Sequence, residues 1–172
     1  MKVYGVTGWK NSGKTTLTER LVAEFVMRGL SVSTLKHAHH TFEIDRPGKD
    51  SHRHRLAGAR QVLVSSAERW ALMSENRGAP EPPLAALLAR LDPVDLVLIE
   101  GYKRDRHPKI ECRRAATARS LIALEDPTIE AIASDAPIEA AVPVLPLDDV
   151  AGIADFILVR TGLAAPDRRD AG

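Results

Sequence analysis

The first 35 residues separate into blocks of different hydrophobic period. Lys2 to Thr7 (KVYGVT) is a short, mostly apolar run that predicts a strand. From Lys14 to Arg28 the period lengthens: Leu17, Leu21, Val22 and Phe25 recur at helical spacing, while Glu19, Arg20, Glu24 and Arg28 fall mostly on other faces. Gly29 stands where a helix C-cap is expected. Leu30 to Leu35 (LSVSTL) then alternates as a second strand. The result is one strand–loop–helix–strand unit, for which a right-handed parallel crossover is the expected geometry.

A polar stretch without clean periodicity follows, KHAHHTFEIDRPGKDSHRHR, with a short helix beginning near Asp50. Gln61 to Ser65 and Arg69 to Ser74 predict two further strands, and Leu84 to Leu91 a helix entered through prolines. Asp95 to Ile99 (DLVLI) is almost continuously apolar, as in a strand buried on both faces. Lys109 to Arg113, Leu121 to Leu124 and Ile129 to Ala133 predict later strands, and Asp148 to Arg160 a last helix. Strands alternating with helices, without repeat or linker, predict a doubly wound, mostly parallel α/β sheet flanked by helices, with room for a small antiparallel extension. Residues 1–163 are expected to form a single domain and residues 164–172 a loose tail.

Composition narrows this picture only slightly. The chain has 172 residues, 44% of them apolar, which suits one well-buried domain. Its 24 Lys and Arg against 23 Asp and Glu argue against a protein that coats nucleic acid. One cysteine excludes an internal disulfide framework. No run approaches the roughly 20 apolar residues of a spanning helix, and with no h-region or small-residue cleavage site before the first strand a signal peptide is not expected. A cytoplasmic protein is the expectation.

The loop between the first strand and helix carries the clearest chemistry. Gly8-x-x-x-x-Gly13-Lys14-Thr15 matches the phosphate-binding P-loop at every fixed position. Its glycines allow backbone amides to converge on phosphate oxygens, and the helix N-terminus adds partial positive charge. Lys14 is the candidate catalytic cation and Thr15 the candidate Mg²⁺ hydroxyl, with Asn11, Ser12 and Thr16 as further nucleotide contacts. Such a loop should be answered by an acid ending a distant apolar strand. Glu100 follows four apolar residues and precedes Gly101, and is the candidate second metal ligand and catalytic carboxylate. No Asn-Lys-x-Asp motif fixes the base; Asp135, after a predicted strand, is either a guanine reader or a plain turn aspartate.

Five of the six histidines fall between His37 and His54, among Lys36, Asp45, Lys49, Asp50, Arg53 and Arg55. Imidazoles at this spacing suit a transition metal, whereas the cations suit a phosphorylated ligand and Asp45 or Asp50 the nucleotide's magnesium. A solvated polar loop is the plain alternative.

Taken together, GWKNSGKTT, KHAHHTFEIDRPGKDSHRHRLAGA and LVLIEGYKRDRHPKIE resemble the MobB family of molybdopterin-guanine dinucleotide biosynthesis proteins, over about Lys2 to Leu163. The resemblance implies a P-loop NTPase fold, GTP and Mg²⁺ binding, feeble GTPase activity and a homodimer. It also implies association with a MobA-type guanylyltransferase, with molybdopterin or its carrier proteins as further partners. By position, Gly8, Gly13, Lys14, Thr15 and Glu100 fall on the family's nucleotide site, with Asp50 as a further candidate metal ligand. His37, His39, Asp45, Lys49, Asp50 and Arg55 fall on its second motif. Two other functions stay open at this point: a small-molecule phosphoryl-transfer enzyme of the dethiobiotin synthetase or kinase type, and a GTP-dependent metal chaperone. Lys10 is one residue out of register for the dimer-spanning lysine of related ATPases, whose position Trp9 takes.

Overall fold

The computed structural model describes residues 1–38, 42–117 and 119–164. In chain order the elements are β1 (Lys2–Thr7), α1 (Lys14–Met27), β2 (Val32–Lys36), α2 (Asp50–Leu56), β3 (Gln61–Ser65) and β4 (Trp70–Ser74). There follow α3 (Leu84–Leu88), β5 (Leu96–Glu100), β6 (Lys109–Arg113), β7 (Ile129–Ser134), β8 (Val144–Pro146) and α4 (Val150–Thr161). Contacts group the chain into two compact units, Met1–His37 with Leu88–Gly172, and Ala38–Leu87.

The first unit carries a six-stranded sheet in the order β2-β5-β1-β6-β7-β8, and every neighbouring pair is parallel. Leu96 to Ile99 of β5 are fully buried, which is why they read as an unbroken apolar run, and the buried Glu100 ends the strand. Leu17, Leu21 and Phe25 of α1 share a core with Ile153, Ala154 and Ile157 of α4 and with Tyr4, Val6, Leu98, Ile110 and Ala131 of the strands. Local signals hold α4 in place. The Asp149 carboxylate accepts from the Gly152 amide at 2.9 Å, and Gly162 ends the helix at a φ of 67°.

Register places the chemistry. Val6 and Lys36 both stand opposite Glu100, one on each side of β5, and Thr7 stands opposite Glu111. The carboxyl ends of β2, β5, β1 and β6 therefore lie side by side. The sheet also reverses direction of growth at β1, because β2 adds on one side and β6 on the other. Ligands of open α/β sheets bind at such a switch point.

Two expectations change, and one strand is new. Leu121 to Leu124, expected as a strand, contains a 3₁₀ turn at Ile122–Leu124. The Glu111 carboxylate, buried in β6, accepts from the Ile122 and Ala123 amides at 3.0 and 2.9 Å and so satisfies the start of that turn. The edge strand β8 had no clear signature, because it is three residues long and bounded by Pro143 and Pro146. The helix expected over Leu84 to Leu91 stops at Leu88.

The second unit contains α2, α3 and the hairpin β3–β4, a separate antiparallel pair. Arg55 is its hub. The guanidinium reaches Glu43, Asp45 and Glu75 at 2.7 Å each, and Asp45 is almost fully enclosed. Arg77 reinforces this region by donating to the carbonyls of Arg55 and Ala59, both at 2.9 Å.

Candidate functional site

The phosphate loop joins β1 to α1 and sits at the sheet's switch point. Its backbone needs unusual conformations. Gly8, Asn11 and Gly13 have φ values of 146°, 66° and 95°, and Gly13 is the left-handed residue from which α1 starts. Beneath the loop, the buried Cys112 thiol of β6 donates to the Ser12 carbonyl at 2.9 Å. Burial pushes that thiol up to about 11, so it is a neutral prop rather than a nucleophile. Ser12 Oγ is buried with no hydrogen-bond partner among the described residues.

Lys14 folds back over the loop and donates to the Trp9 carbonyl at 2.7 Å. Burial lowers its pKa, and the Glu100 carboxylate opposes that shift. Beside it, Thr15 Oγ1 donates to Glu100 Oε1 at 2.9 Å. The ammonium of Lys36 lies 3.1 Å from the same carboxylate oxygen and 3.4 Å from the Thr15 hydroxyl. A hydroxyl and a carboxylate already gathered around a cation form a donor set that suits Mg²⁺, a hard, oxygen-seeking ion. Thr15 and Glu100 thus fit the metal that this fold implies.

A cavity of about 400 Å³ opens over the loop, lined by Asn11, Gly13, Lys14, Thr15, Thr16 and Arg114. Arg114 was not among the sequence candidates. It directly follows β6, and its Nε lies 3.0 Å from where a Cβ on Gly13 would stand. The sequence held no comparable signal for it, because β6 (KIECR) is itself charged at Lys109, Glu111 and Arg113. A second cavity, of about 550 Å³, is lined by Trp9, Lys10, Asn11, Ala116, Thr117 and Arg119. Trp9 is pinned there. Its indole N–H donates to the Ser120 carbonyl at 2.8 Å, and the Lys103 ammonium stands 4.2 Å from the ring centre.

The remaining candidates divide by unit. In the first, the His37 amide donates to the Glu100 carbonyl at 2.9 Å, and its ring packs on Tyr102 with centroids 4.6 Å apart. Asp135, following β7, accepts from the Ala115 amide at 2.7 Å, which ties down the segment after Arg114. In the second unit, Lys49 is the N-cap residue of α2 and Asp50 its exposed first residue, 4.0 Å from Arg53. Asp45 and Arg55 bind each other inside the carboxylate hub, and the guanidinium holds the Asp45 carboxyl below its usual range. His39 lies outside the described residues. Among the described residues, no three His, Cys, Asp or Glu side chains gather into a metal-holding group.

A parallel sheet of this order, with a Gly8-to-Thr15 phosphate loop at its switch point and an acid at the end of the neighbouring strand, has the fold of a P-loop NTPase. More narrowly, the chain belongs to the MobB family: the model for "Molybdopterin guanine dinucleotide synthesis protein B" matches residues 3–135. The molybdopterin-guanine dinucleotide biosynthesis adapter protein of Escherichia coli (strain K12) is 40% identical over 153 residues, 87% of each chain. That of Haemophilus influenzae is 40% identical over 158 residues, covering 90% of this chain and 86% of the relative. Among solved structures, a MobB protein homolog from Bacillus stearothermophilus superposes with a TM-score of 0.69 at 30% identity, covering 94% of this chain and 99% of that one. Bacillus subtilis MobB gives 0.73 at 27% identity, covering 94% and 98%. No helix among the described residues is long and apolar enough to cross a membrane.

Proposed function

We propose that this chain is a nucleotide-dependent adapter in molybdopterin-guanine dinucleotide biosynthesis. It binds GTP with Mg²⁺ at the phosphate loop, hydrolyses it slowly and acts through a MobA-type guanylyltransferase. The observation that carries the nucleotide half is the Thr15–Glu100 pair at the mouth of the loop. The adapter half rests on relatives of that printed name at 40% identity.

In this reading the loop amides, Lys14 and Arg114 hold the phosphates, with Lys14 exchanging the Trp9 carbonyl for a phosphate oxygen. Mg²⁺, when bound, would neutralise charge on the terminal phosphates, held by Thr15 and Glu100. Asp135 would meet a guanine edge with the carboxylate oxygen left over from Ala115. Slow turnover follows from the groups that surround the loop. Lys14 and Arg114 are cations, and Glu100 would be committed to Thr15 and Mg²⁺, so none of them is a base for an attacking water.

Calorimetric titration with Mg²⁺ and GTP tests the nucleotide half. Binding should be clear in the wild-type chain and weaker by about 100-fold in Lys14→Met, since a charge-assisted phosphate contact contributes ~1.5–3 kcal/mol. A wild-type chain that binds neither GTP nor ATP overturns it. Co-elution with the pathway's guanylyltransferase tests the adapter half.

One observation favours a second reading, phosphoryl transfer to a small anionic acceptor. The cavity beside the loop presents Lys10 and Arg119, and Lys103 stands over the adjoining Trp9 ring. The acceptor decides between the two: phosphate released only to water supports the adapter, and a phosphorylated organic product supports transfer.

A further inference from the structure

We propose that Lys36 is the resident counter-ion of the metal site: its ammonium occupies the place between Thr15 and Glu100 in the nucleotide-free chain and is displaced when a divalent cation enters. This deepens the nucleotide reading above and rests on it.

The placement comes from the sheet. Lys36 is the last residue of β2 and stands opposite Glu100 in the parallel ladder, so its side chain starts beside the carboxylate. The ammonium then lies 3.1 Å from Glu100 Oε1 and 3.4 Å from Thr15 Oγ1, two oxygens that are themselves 2.9 Å apart. Glu100 is 8% exposed, and a carboxylate so enclosed needs a cation or several hydrogen bonds. Lys14, the other cation beside it, is engaged with the Trp9 carbonyl. Lys36 therefore satisfies Glu100 when no metal is there.

The same geometry excludes simultaneous occupancy. Mg²⁺ draws its oxygen ligands to about 2.0–2.1 Å, where an ammonium held on those same oxygens would be a like charge in contact. Lys36 has a flexible four-carbon stem, and its side chain is 57% exposed, so it leaves without moving β2. A divalent cation alone must compete with a tethered ammonium. Arriving with a triphosphate, it brings further ligands and displaces the lysine more readily. The device couples metal binding to nucleotide binding, and such coupling is reciprocal.

The test is Mn²⁺ affinity of the nucleotide-free chain, read from the free-ion electron paramagnetic resonance signal. Wild type and Lys36→Arg should bind weakly, and Lys36→Met at least about tenfold more tightly, from loss of the contact cation. Lys103→Met is the control for charge alone: Lys103 lies near enough to influence the site's electrostatics, yet it touches neither ligand, so affinity should stay within about twofold. Lys36→Gln gives the same readout if the methionine variant fails to fold by circular dichroism. An unchanged Mn²⁺ affinity in the Lys36 variants, or an equal gain in Lys103→Met, overturns the proposal. Failure of wild type to bind GTP is a separate result that removes the nucleotide reading, because the Mn²⁺ comparison is made without nucleotide.

Discussion

Gly8 and Cys112 approach so closely that a single methyl group on Gly8 would overlap the Cys112 carbonyl. The contact joins the start of the phosphate loop to β6, the strand whose thiol props the loop at Ser12. Gly8 also holds a φ of 146°, a region where a side chain is strained whatever the space.

Gly8→Ala should therefore cost stability and binding together. The Ser12 hydroxyl, 2.5 Å from the added methyl group, can rotate aside. The Cys112 carbonyl belongs to a central strand and cannot. The expected loss is about 2–3 kcal/mol in urea unfolding, with nucleotide affinity down by about tenfold or more. Adding Cys112→Ala should not rescue it, because the collision is with backbone. Full stability of the single variant would show that the loop is looser than this geometry.

Acid should weaken the fold through His107. This residue is 8% exposed, packs against Gly5, and has neither ring nitrogen hydrogen-bonded among the described residues. Burial, and then the charge of Lys109, push its pKa down to about 4 from an ordinary 6.5. Between those two values the unfolded chain holds a proton that the folded chain does not. Stability is thus complete above about pH 6.5 and falls as the pH drops toward 4. Urea midpoints at pH 6.5 and 4.5 should differ by up to about 2 kcal/mol more in wild type than in His107→Leu. Parallel losses in both proteins would assign the acid sensitivity to other groups.

We propose that the homodimer implied by the family resemblance uses the hairpin of the second unit. Trp70 and Leu72 share one face of β4, Leu63 stands directly opposite Leu72, and the three are 62%, 42% and 61% exposed. An isolated two-stranded hairpin with an uncovered apolar face is marginal by itself. Sedimentation should find wild type dimeric, with Trp70→Asp and Leu72→Asp shifted to monomer while Lys14-dependent nucleotide binding persists. Variants that remain dimeric would move the interface elsewhere.

Much of the candidate site was legible residue by residue. The phosphate loop announces itself because its function depends on local backbone geometry, which glycine spacing encodes directly. Glu100 was legible for a related reason: it is the first charge after four consecutive apolar residues, and so marks the carboxyl end of β5. Arg114 escapes that rule, because β6 itself carries Lys109, Glu111 and Arg113, and Lys109 is a buried lysine held by Asp126 and Thr128. A charge at that position reads as surface until its partners are known. Asp45 and Arg55 were legible as a motif, although their mutual pairing was not, since they lie ten positions apart, one in a loop and the other in α2.

What the sequence determined by itself, then, was the local part: a phosphate loop on a strand-to-helix turn, an acid at a strand end, and the periods of the main elements. Only the tertiary structure decided which strands are neighbours. Once β5 lies between β1 and β2, the register sets Val6 and Lys36 on either side of Glu100, and Lys36 comes within reach of Glu100 and Thr15. Hydrophobic period specifies which face of a strand is buried. It carries no information about which strand lies alongside, because that choice is made by packing among residues far apart in the chain.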